Sequence, residues 1–355
     1  MADANPTIED FLPVYPRISS DDYETDIWHK QELYALRGGH LTADITRLKP
    51  GSLLKTQQAM KILLSPHTTY NGFLVYYDVG MGKTCAAVAV VENFKLTKEK
   101  ALVIVKGPQP EENFKFELTQ VCTCLEVGED GKCSAGKYLP SLLEEGEDEP
   151  ITKKQFVGRR NKMVKRFYEI TTFEKFATRL AGMSDEQMRI LYSNKVIIID
   201  EAHNLRGVIK KKKLGASSVN IREQIFRLLH VVRSRKVLLL SATPMYDRVE
   251  EIAQIMNLLL PIDNQMPVMN VFRARYIGHD VDGDVELTNK KELQEYFRGR
   301  ITFVQGGITD VRRVDVGELN YGMKYIKTVL SKMSDTQAEV YRSVREPLES
   351  DLKEK

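Results

Sequence analysis

Long apolar runs are missing from this 355-residue chain. No stretch reaches the roughly 20 residues of a membrane-spanning helix, and the N-terminus has no signal-peptide core. Cysteine is scarce: the four present fit a reducing compartment. There is a single tryptophan, Trp28. Charge of one sign is lacking too, since a net charge of +3 is too small to prove a nucleic-acid partner. With 28% charged and 42% hydrophobic residues, the composition is that of a folded, soluble protein of two or so structural units.

Chemistry is concentrated at three places. The apolar run Gly72–Tyr77 reads as a buried strand, followed by Val79-Gly80-Met81-Gly82-Lys83-Thr84 and the small-residue helix Cys85–Val91. Strand, glycine turn, Lys-Thr and helix form a phosphate-binding loop. Glycines let backbone N–H groups crowd round a polyphosphate, the helix start adds positive potential, Lys83 adds a charge and Thr84 offers a hydroxyl to Mg²⁺. One departure stands out: the full pattern wants glycine five residues before Gly82, where this chain has Tyr77. The second place is the β-branched run Lys195–Ile199, ending in Asp200-Glu201-Ala202-His203. An acidic pair at the carboxyl end of a buried parallel strand is where an open α/β sheet keeps its ligand chemistry. Asp200 is expected to hold Mg²⁺ and Glu201 to orient and deprotonate water. The third is Lys236–Leu240, ending in Ser241-Ala242-Thr243, whose hydroxyls can sense phosphate.

The set Gly-Met-Gly-Lys-Thr, Asp-Glu-Ala-His and Ser-Ala-Thr resembles the first motor lobe of superfamily 2 helicases and translocases of the Snf2-like, DEAH-box kind. Leu64–Gly72, Asp200–Gly207, and Tyr15-Pro16-Arg17-Ile18 with Lys30-Gln31-Glu32-Leu33 are similar to the helicase-like ATPases of large nucleocytoplasmic DNA viruses. That family includes the poxvirus early transcription factor small subunit and nucleoside triphosphatase I; the N-terminal stretch leans towards the former without separating the two branches. The resemblance covers nearly the whole chain, most strongly 53–260. It implies a RecA-like α/β lobe, a parallel sheet flanked by helices, that binds ATP and Mg²⁺ and drives DNA translocation in a viral transcription system, at initiation or termination. Gly80, Met81, Gly82, Lys83, Thr84 and Cys85 would bind ATP, with Gln57 on the adenine edge. Thr84 and Asp200 would hold Mg²⁺, and Lys83, Asp200, Glu201 and His203 would carry catalysis. Ser241, Ala242 and Thr243 would couple phosphate state to movement. Lys106, Asn113, Thr171 and Thr172 would touch nucleic acid, most simply double-stranded DNA. A viral RNA polymerase or a second transcription-factor subunit is the implied partner, and virion and host cytoplasm the implied location. A strand-separating helicase, or a polymerase-recruiting subunit that keeps only the nucleotide fold, are the competing readings.

Residues 1–50 read as an N-terminal extension. Within it, Asp22–Leu36 is expected to form a helix with Ile27, Trp28, Leu33 and Tyr34 on its apolar face. The ATP-binding lobe spans 51–262, with an acidic, cysteine-bearing insertion at about 122–150. Cys122, Cys124 and Cys133 lack a second Cys-x₂-Cys or a nearby histidine, so free cysteines are expected rather than zinc ligands. Glu144–Glu149 make an acidic loop, and Lys153–Arg166 a basic stretch that would neutralise it. Arg166–Thr171 reads as a strand, with Thr172 capping the next helix. Lys210–Lys213 is expected to be a loop. Ten Lys or Arg against one acid between Arg206 and Lys236 form a basic concentration leaning towards a nucleic-acid or partner surface. Residues 263–320 read as a lobe extension. The stretch 321–355, with a strand at Met323–Leu330 and a helix starting at Ser334, resembles the connector of Snf2-type translocases into a second lobe. On that resemblance the chain is a first lobe, expected to bind nucleotide weakly and hydrolyse it poorly by itself.

Overall fold

The computed structural model describes residues 15–36, 52–94, 100–128, 133–140, 152–205, 212–214, 217–245, 248–279 and 285–304, with the short pieces 318–319, 327–328, 334 and 337. Six parallel strands form the main sheet: β1 (Gly72–Tyr77), β2 (Ala101–Val105), β3 (Tyr168–Thr172), β4 (Val196–Ile199), β5 (Lys236–Ser241) and β6 (Ile301–Val304), in the order β6-β1-β5-β4-β2-β3. Every residue of β2, β4 and β5 is buried. Apolar runs such as 101–105, 196–199 and 237–240 belong to strands covered on both faces.

Alternation along the strands sorts the core into two layers. Phe73, Val75, Tyr77, Val103, Val105, Ile198, Leu238 and Leu240 share one face with Ala86, Ala87, Val90 and Val91 of the helix after the glycine loop. Leu74, Leu102, Ile104, Ile197, Ile199 and Leu239 share the other with Phe176 and Leu180, and with Ile225, Leu228 and Leu229. These come from the helices Phe173–Ala181 and Ile221–Val231. This is the expected RecA-like lobe. Leu74 pairs with Ile301 and Tyr77 with Val304, so β6, far along the chain, extends the sheet beside β1.

Several local expectations need correcting. Tyr23, Ile27 and Leu33 anchor residues 15–36, whereas Trp28 and Tyr34 are 38% and 60% exposed. Tyr23 and Ile27 lie four apart on one face of the helix Tyr23–His29, and Trp28 is turned about 100° away from that face. Lys30 is extended, which resets the periodicity before Tyr34. Arg166 and Phe167 end the helix Lys153–Phe167, and the strand begins at Tyr168. Thr172 stands at the N-cap of the next helix without a side-chain capping bond. Lys212–Leu214 pairs antiparallel with Ser217–Val219, so the end of the lysine run is a hairpin strand; Lys210 and Lys211 lie outside the described residues.

The cysteines are not free. Cys85 is bonded to Cys122 and Cys124 to Cys133, which occupies all four sulfurs and leaves none for zinc. The sequence separations of 37 and 9 residues carry no pairing signal; the fold makes the first pair by laying 117–122 against the helix that holds Cys85. The acidic loop 144–149 lies outside the described residues. No helix among the described residues is long and apolar enough to cross a membrane.

The chain divides into two compact units after Gly306. In the second, Glu318–Leu319 pairs with Lys327–Thr328. Ser334 and Gln337 exchange backbone-to-side-chain hydrogen bonds of 3.1 and 3.3 Å, the reciprocal arrangement that starts a helix.

Candidate active site

The strand order places β5 between β1 and β4. The rim of the sheet therefore carries the loop 78–84, then Ser241, then Asp200. Gly80 and Gly82 have φ of +81° and +74°, a region costly for any side chain but open to glycine. They turn the loop back over β1 before the helix Lys83–Glu92 begins. Lys83 Nζ donates to the carbonyls of Tyr77 and Asp78 at 3.1 and 3.3 Å. Tyr77, where the full pattern wants glycine, is the last residue of β1. Its ring is buried and its hydroxyl lies 3.1 Å from Thr302 Oγ1. The side chain enters the core and leaves the loop clear.

Asp200 follows β4, and its backbone N–H is held by Ile104 O at 2.9 Å. Burial, then the neighbouring Glu201 charge, pushes its carboxyl up to about 6. The Glu201 N–H bonded to Asp200 Oδ1 and the Lys83 charge pull the other way, while Glu117 adds to the rise. A carboxylate so short of positive charge suits a divalent cation. Among the described residues no three His, Cys, Asp or Glu groups cluster as a metal cage. A lone carboxylate such as Asp200 suits the alternative, Mg²⁺ held by one or two carboxylates with phosphates and water.

Glu201 has φ +50°, a strained value for a glutamate of the sort found at working sites. The turn brings its carboxylate to 3.2 Å from His203 Nδ1. The same nitrogen lies 3.1 Å from Ser241 Oγ, which accepts the Thr243 N–H at 3.1 Å. Asn204 Nδ2 donates to Glu201 O at 2.8 Å and faces His203 Nε2 at 3.2 Å. An amide nitrogen only donates, so Nε2 accepts and Nδ1 carries the ring proton. One histidine thus links the acidic pair to the β5 strand end.

Gln57, 4% exposed, is engaged at both ends of its amide. Its Oε1 accepts the Leu54 N–H at 2.9 Å, closing the first turn of the helix Lys55–Leu63. Its Nε2 donates to Gly82 O at 3.1 Å. Beside it lies a cavity of about 210 Å³ lined by Ser52, Leu53, Leu54, Gln57, Gly80, Met81, Gly82, Cys85, Val121 and Cys122. Gln57 therefore borders a space next to the phosphate loop while bracing the loop itself.

Of the residues expected to meet nucleic acid, Lys106 and Asn113 are exposed around the helix Pro108–Phe116, with Asn113 Oδ1 accepting from Gln109 at 3.0 Å. Thr171 and Thr172 end β3 on the same rim but are 6% and 4% exposed. The basic concentration after Arg206 is not one surface. Lys236 is buried on two carbonyls, Arg222 and Arg235 are half-buried with their pKa lowered by burial, and Arg227 pairs with Asp185. Sequence reasoning passed over Glu117 and Val121, and read Cys122 as a free cysteine of an insertion. They belong to a π-helical segment, Glu117–Cys122, for which no residue pattern gives a signal.

The chain is similar to viral proteins named as helicases. It is 30% identical over 347 residues to protein 087L of Invertebrate iridescent virus 3, covering 94% of this chain and 31% of that one. It is 32% identical over 295 residues to protein 009L of Frog virus 3, covering 81% and 28%. It is 26% identical over 331 residues to L377 of Acanthamoeba polyphaga mimivirus, named as an ATP-dependent RNA helicase, covering 82% and 26%. The chain thus spans less than a third of the length of these curated relatives. A family model described as Type III restriction enzyme, res subunit, matches residues 52–246, the span that holds all three strand-end motifs, and the chain belongs to that family.

Proposed function

We propose that this chain is the nucleotide-binding lobe of an ATP-driven nucleic-acid motor of superfamily 2. The observation that carries the reading is the shared rim: Lys83, Ser241 and Asp200 stand at three strand ends in the order β1-β5-β4, with His203 joining Glu201 to Ser241. Backbone N–H groups of 80–84 and the Lys83 ammonium would cradle the β- and γ-phosphates of ATP. Thr84 and Asp200 would hold Mg²⁺, which supplies charge neutralisation when bound. Glu201 would orient water for in-line attack and accept its proton. His203 would report the state of Glu201 to Ser241 and Thr243. Phosphoryl transfer asks for this positioning and little covalent help.

The finer reading is a double-stranded DNA translocase of the DEAH-box, Snf2-like kind in a viral transcription apparatus, similar to the poxvirus early transcription factor small subunit. A viral RNA polymerase or second factor subunit would be its partner, in virion and host cytoplasm. Lys106, exposed just past the end of β2, and Asn113, exposed on the helix Pro108–Phe116, support it as polar groups open to a ligand. For Thr171 and Thr172, backbone groups are the better candidates, given their burial. Relatives named as RNA helicases favour a second reading, strand separation on RNA. For the 355 residues by themselves we expect slow turnover.

The test is ATP hydrolysis by the full-length protein with single-stranded DNA, double-stranded DNA and RNA, alongside a gel assay for unwinding. Stimulation by duplex DNA without unwinding is expected, as is loss of turnover in Lys83→Ala. Full activity of Lys83→Ala would defeat the motor reading, and unwinding of RNA duplexes would select the second.

A further inference from the structure

Cys85 sits on the first turn of the helix that starts at Lys83, one residue beyond Thr84. Its sulfur is joined to Cys122, the last residue of the π-helical segment. Six residues of π-helix are rare, and such segments gather at functional sites. This one reaches the nucleotide end of the sheet. Val121 and Cys122 line the 210 Å³ cavity together with Ser52–Leu54, Gln57 and Gly80–Gly82. Val121 is apolar yet 49% exposed there. Leu53, Leu54, Met81, Val121 and the two sulfurs make a soft apolar slot next to the phosphate loop. That is the chemistry a flat purine base packs against.

The segment is anchored unevenly. Leu118 and Thr119 are fully buried. Thr119 Oγ1 donates to Lys115 O at 2.8 Å, and Thr123 Oγ1 donates to Leu118 O at 2.6 Å. Gln120, Val121 and Cys122 form the outer turn, and the sulfur bridge is the covalent tie between that turn and the helix bearing Lys83 and Thr84.

We propose that the Cys85–Cys122 bond holds Val121 as a wall of the nucleotide-base slot, and that its reduction by a dithiol withdraws this wall and lowers nucleotide affinity. The proposal deepens the ATP reading and rests on it. In the step itself, one thiolate of the dithiol attacks a sulfur of the pair and the S–S bond breaks, releasing the other cysteine as a thiolate that takes up a proton. The second thiol of the reagent then displaces the mixed disulfide. Two electrons pass to the protein, Cys85 and Cys122 end as thiols, and the reagent ends as a cyclic disulfide. The Cys124–Cys133 bond lies outside the slot and serves as the internal control.

The experiment uses the full 355-residue chain purified without reductant, its disulfides counted by mass spectrometry. A fluorescent N-methylanthraniloyl-ATP is titrated with Mg²⁺ before and after dithiothreitol. The Kd is expected to rise about fivefold on reduction, the size of one lost apolar contact. Cys122→Ser should show the raised Kd with or without dithiothreitol. Cys124→Ser/Cys133→Ser should keep the full response, and Val121→Ser should weaken binding in the oxidised protein and blunt the response. Equal affinity in the two redox states, an unchanged response in Cys122→Ser, or four free thiols in the starting protein would overturn this inference and leave the ATP reading standing. Absence of binding in either state would overturn the ATP reading, and this inference with it.

Discussion

Gln57 lies directly on Gly82: its amide nitrogen donates to the Gly82 carbonyl at 3.1 Å, and a Cβ on Gly82 would stand 2.4 Å from that nitrogen. Gly82 also has φ +74°, so a side chain there is strained whatever the space. Gly82→Ala is therefore expected to displace Gln57 and the loop together. Stability should fall by about 1–3 kcal/mol, combining backbone strain and overpacking. Urea unfolding measures the first effect and N-methylanthraniloyl-ATP titration the second. Gly82→Ala with wild-type stability and affinity would show that the loop is looser than this contact implies.

Asp200 gives a pH signature. Its carboxyl is raised from 3.8 to about 6, first by burial and then by Glu201. For an acid raised in the folded state, the unfolded chain ionises first as pH climbs. Stability is therefore lost between pH 4 and 6 and stays lost above. Two units correspond to a cost on the order of 2–3 kcal/mol. Asp200→Asn should stabilise the protein by that order at pH 8 and change little at pH 4, by urea unfolding at both values. Mg²⁺ affinity of the wild type should drop as pH falls through about 6, since the cation needs the anion. A benefit of Asp200→Asn equal at both pH values would mean the carboxyl is not strained by its charge.

Strands were legible where burial is two-sided. The runs 72–77, 196–199 and 237–240 announce themselves because strands covered on both faces are built mostly from apolar residues. Reading Arg166 and Phe167 as strand failed because a helix passes straight into β3 with no breaker between them. The chemistry at Lys83, Asp200 and Ser241 was legible because each follows its strand by local sequence. What the fold assembles from afar was not. Cys85 and Cys122 meet through helix packing, Lys236 looks like one more surface lysine in a basic run, and the Gln57 bridge to Gly82 spans 25 residues.

Lys236 is the sharpest of these for stability. It is 7% exposed, and its ammonium donates to Thr68 O at 2.7 Å and Tyr70 O at 2.6 Å. Those carbonyls belong to the turn that feeds β1. Lys236→Met keeps the length of the stem and removes both donors, leaving two carbonyls short of a partner. A loss of about 2–4 kcal/mol is expected in urea unfolding, from charged hydrogen bonds removed and acceptors stranded. A change below about 0.5 kcal/mol, the level of an ordinary surface substitution, would show that water replaces the ammonium at no cost.

His203 and Ser241 offer a test of coupling separate from binding. Nδ1 of His203 faces Ser241 Oγ at 3.1 Å and Glu201 Oε2 at 3.2 Å, and neither contact reaches the phosphate loop. Removing either partner breaks the same link, so the two losses should not add. His203→Ala and Ser241→Ala are each expected to lower nucleic-acid-stimulated ATP turnover of the full-length protein about tenfold, below the roughly hundredfold or more of a direct acid–base group because both act through Glu201. The double variant should be no slower than the worse single one. N-methylanthraniloyl-ATP affinity should stay within about twofold, because uniform binding is untouched. Losses that multiply in the double variant would mean that Ser241 acts on phosphate directly, with His203 on a separate path through Glu201.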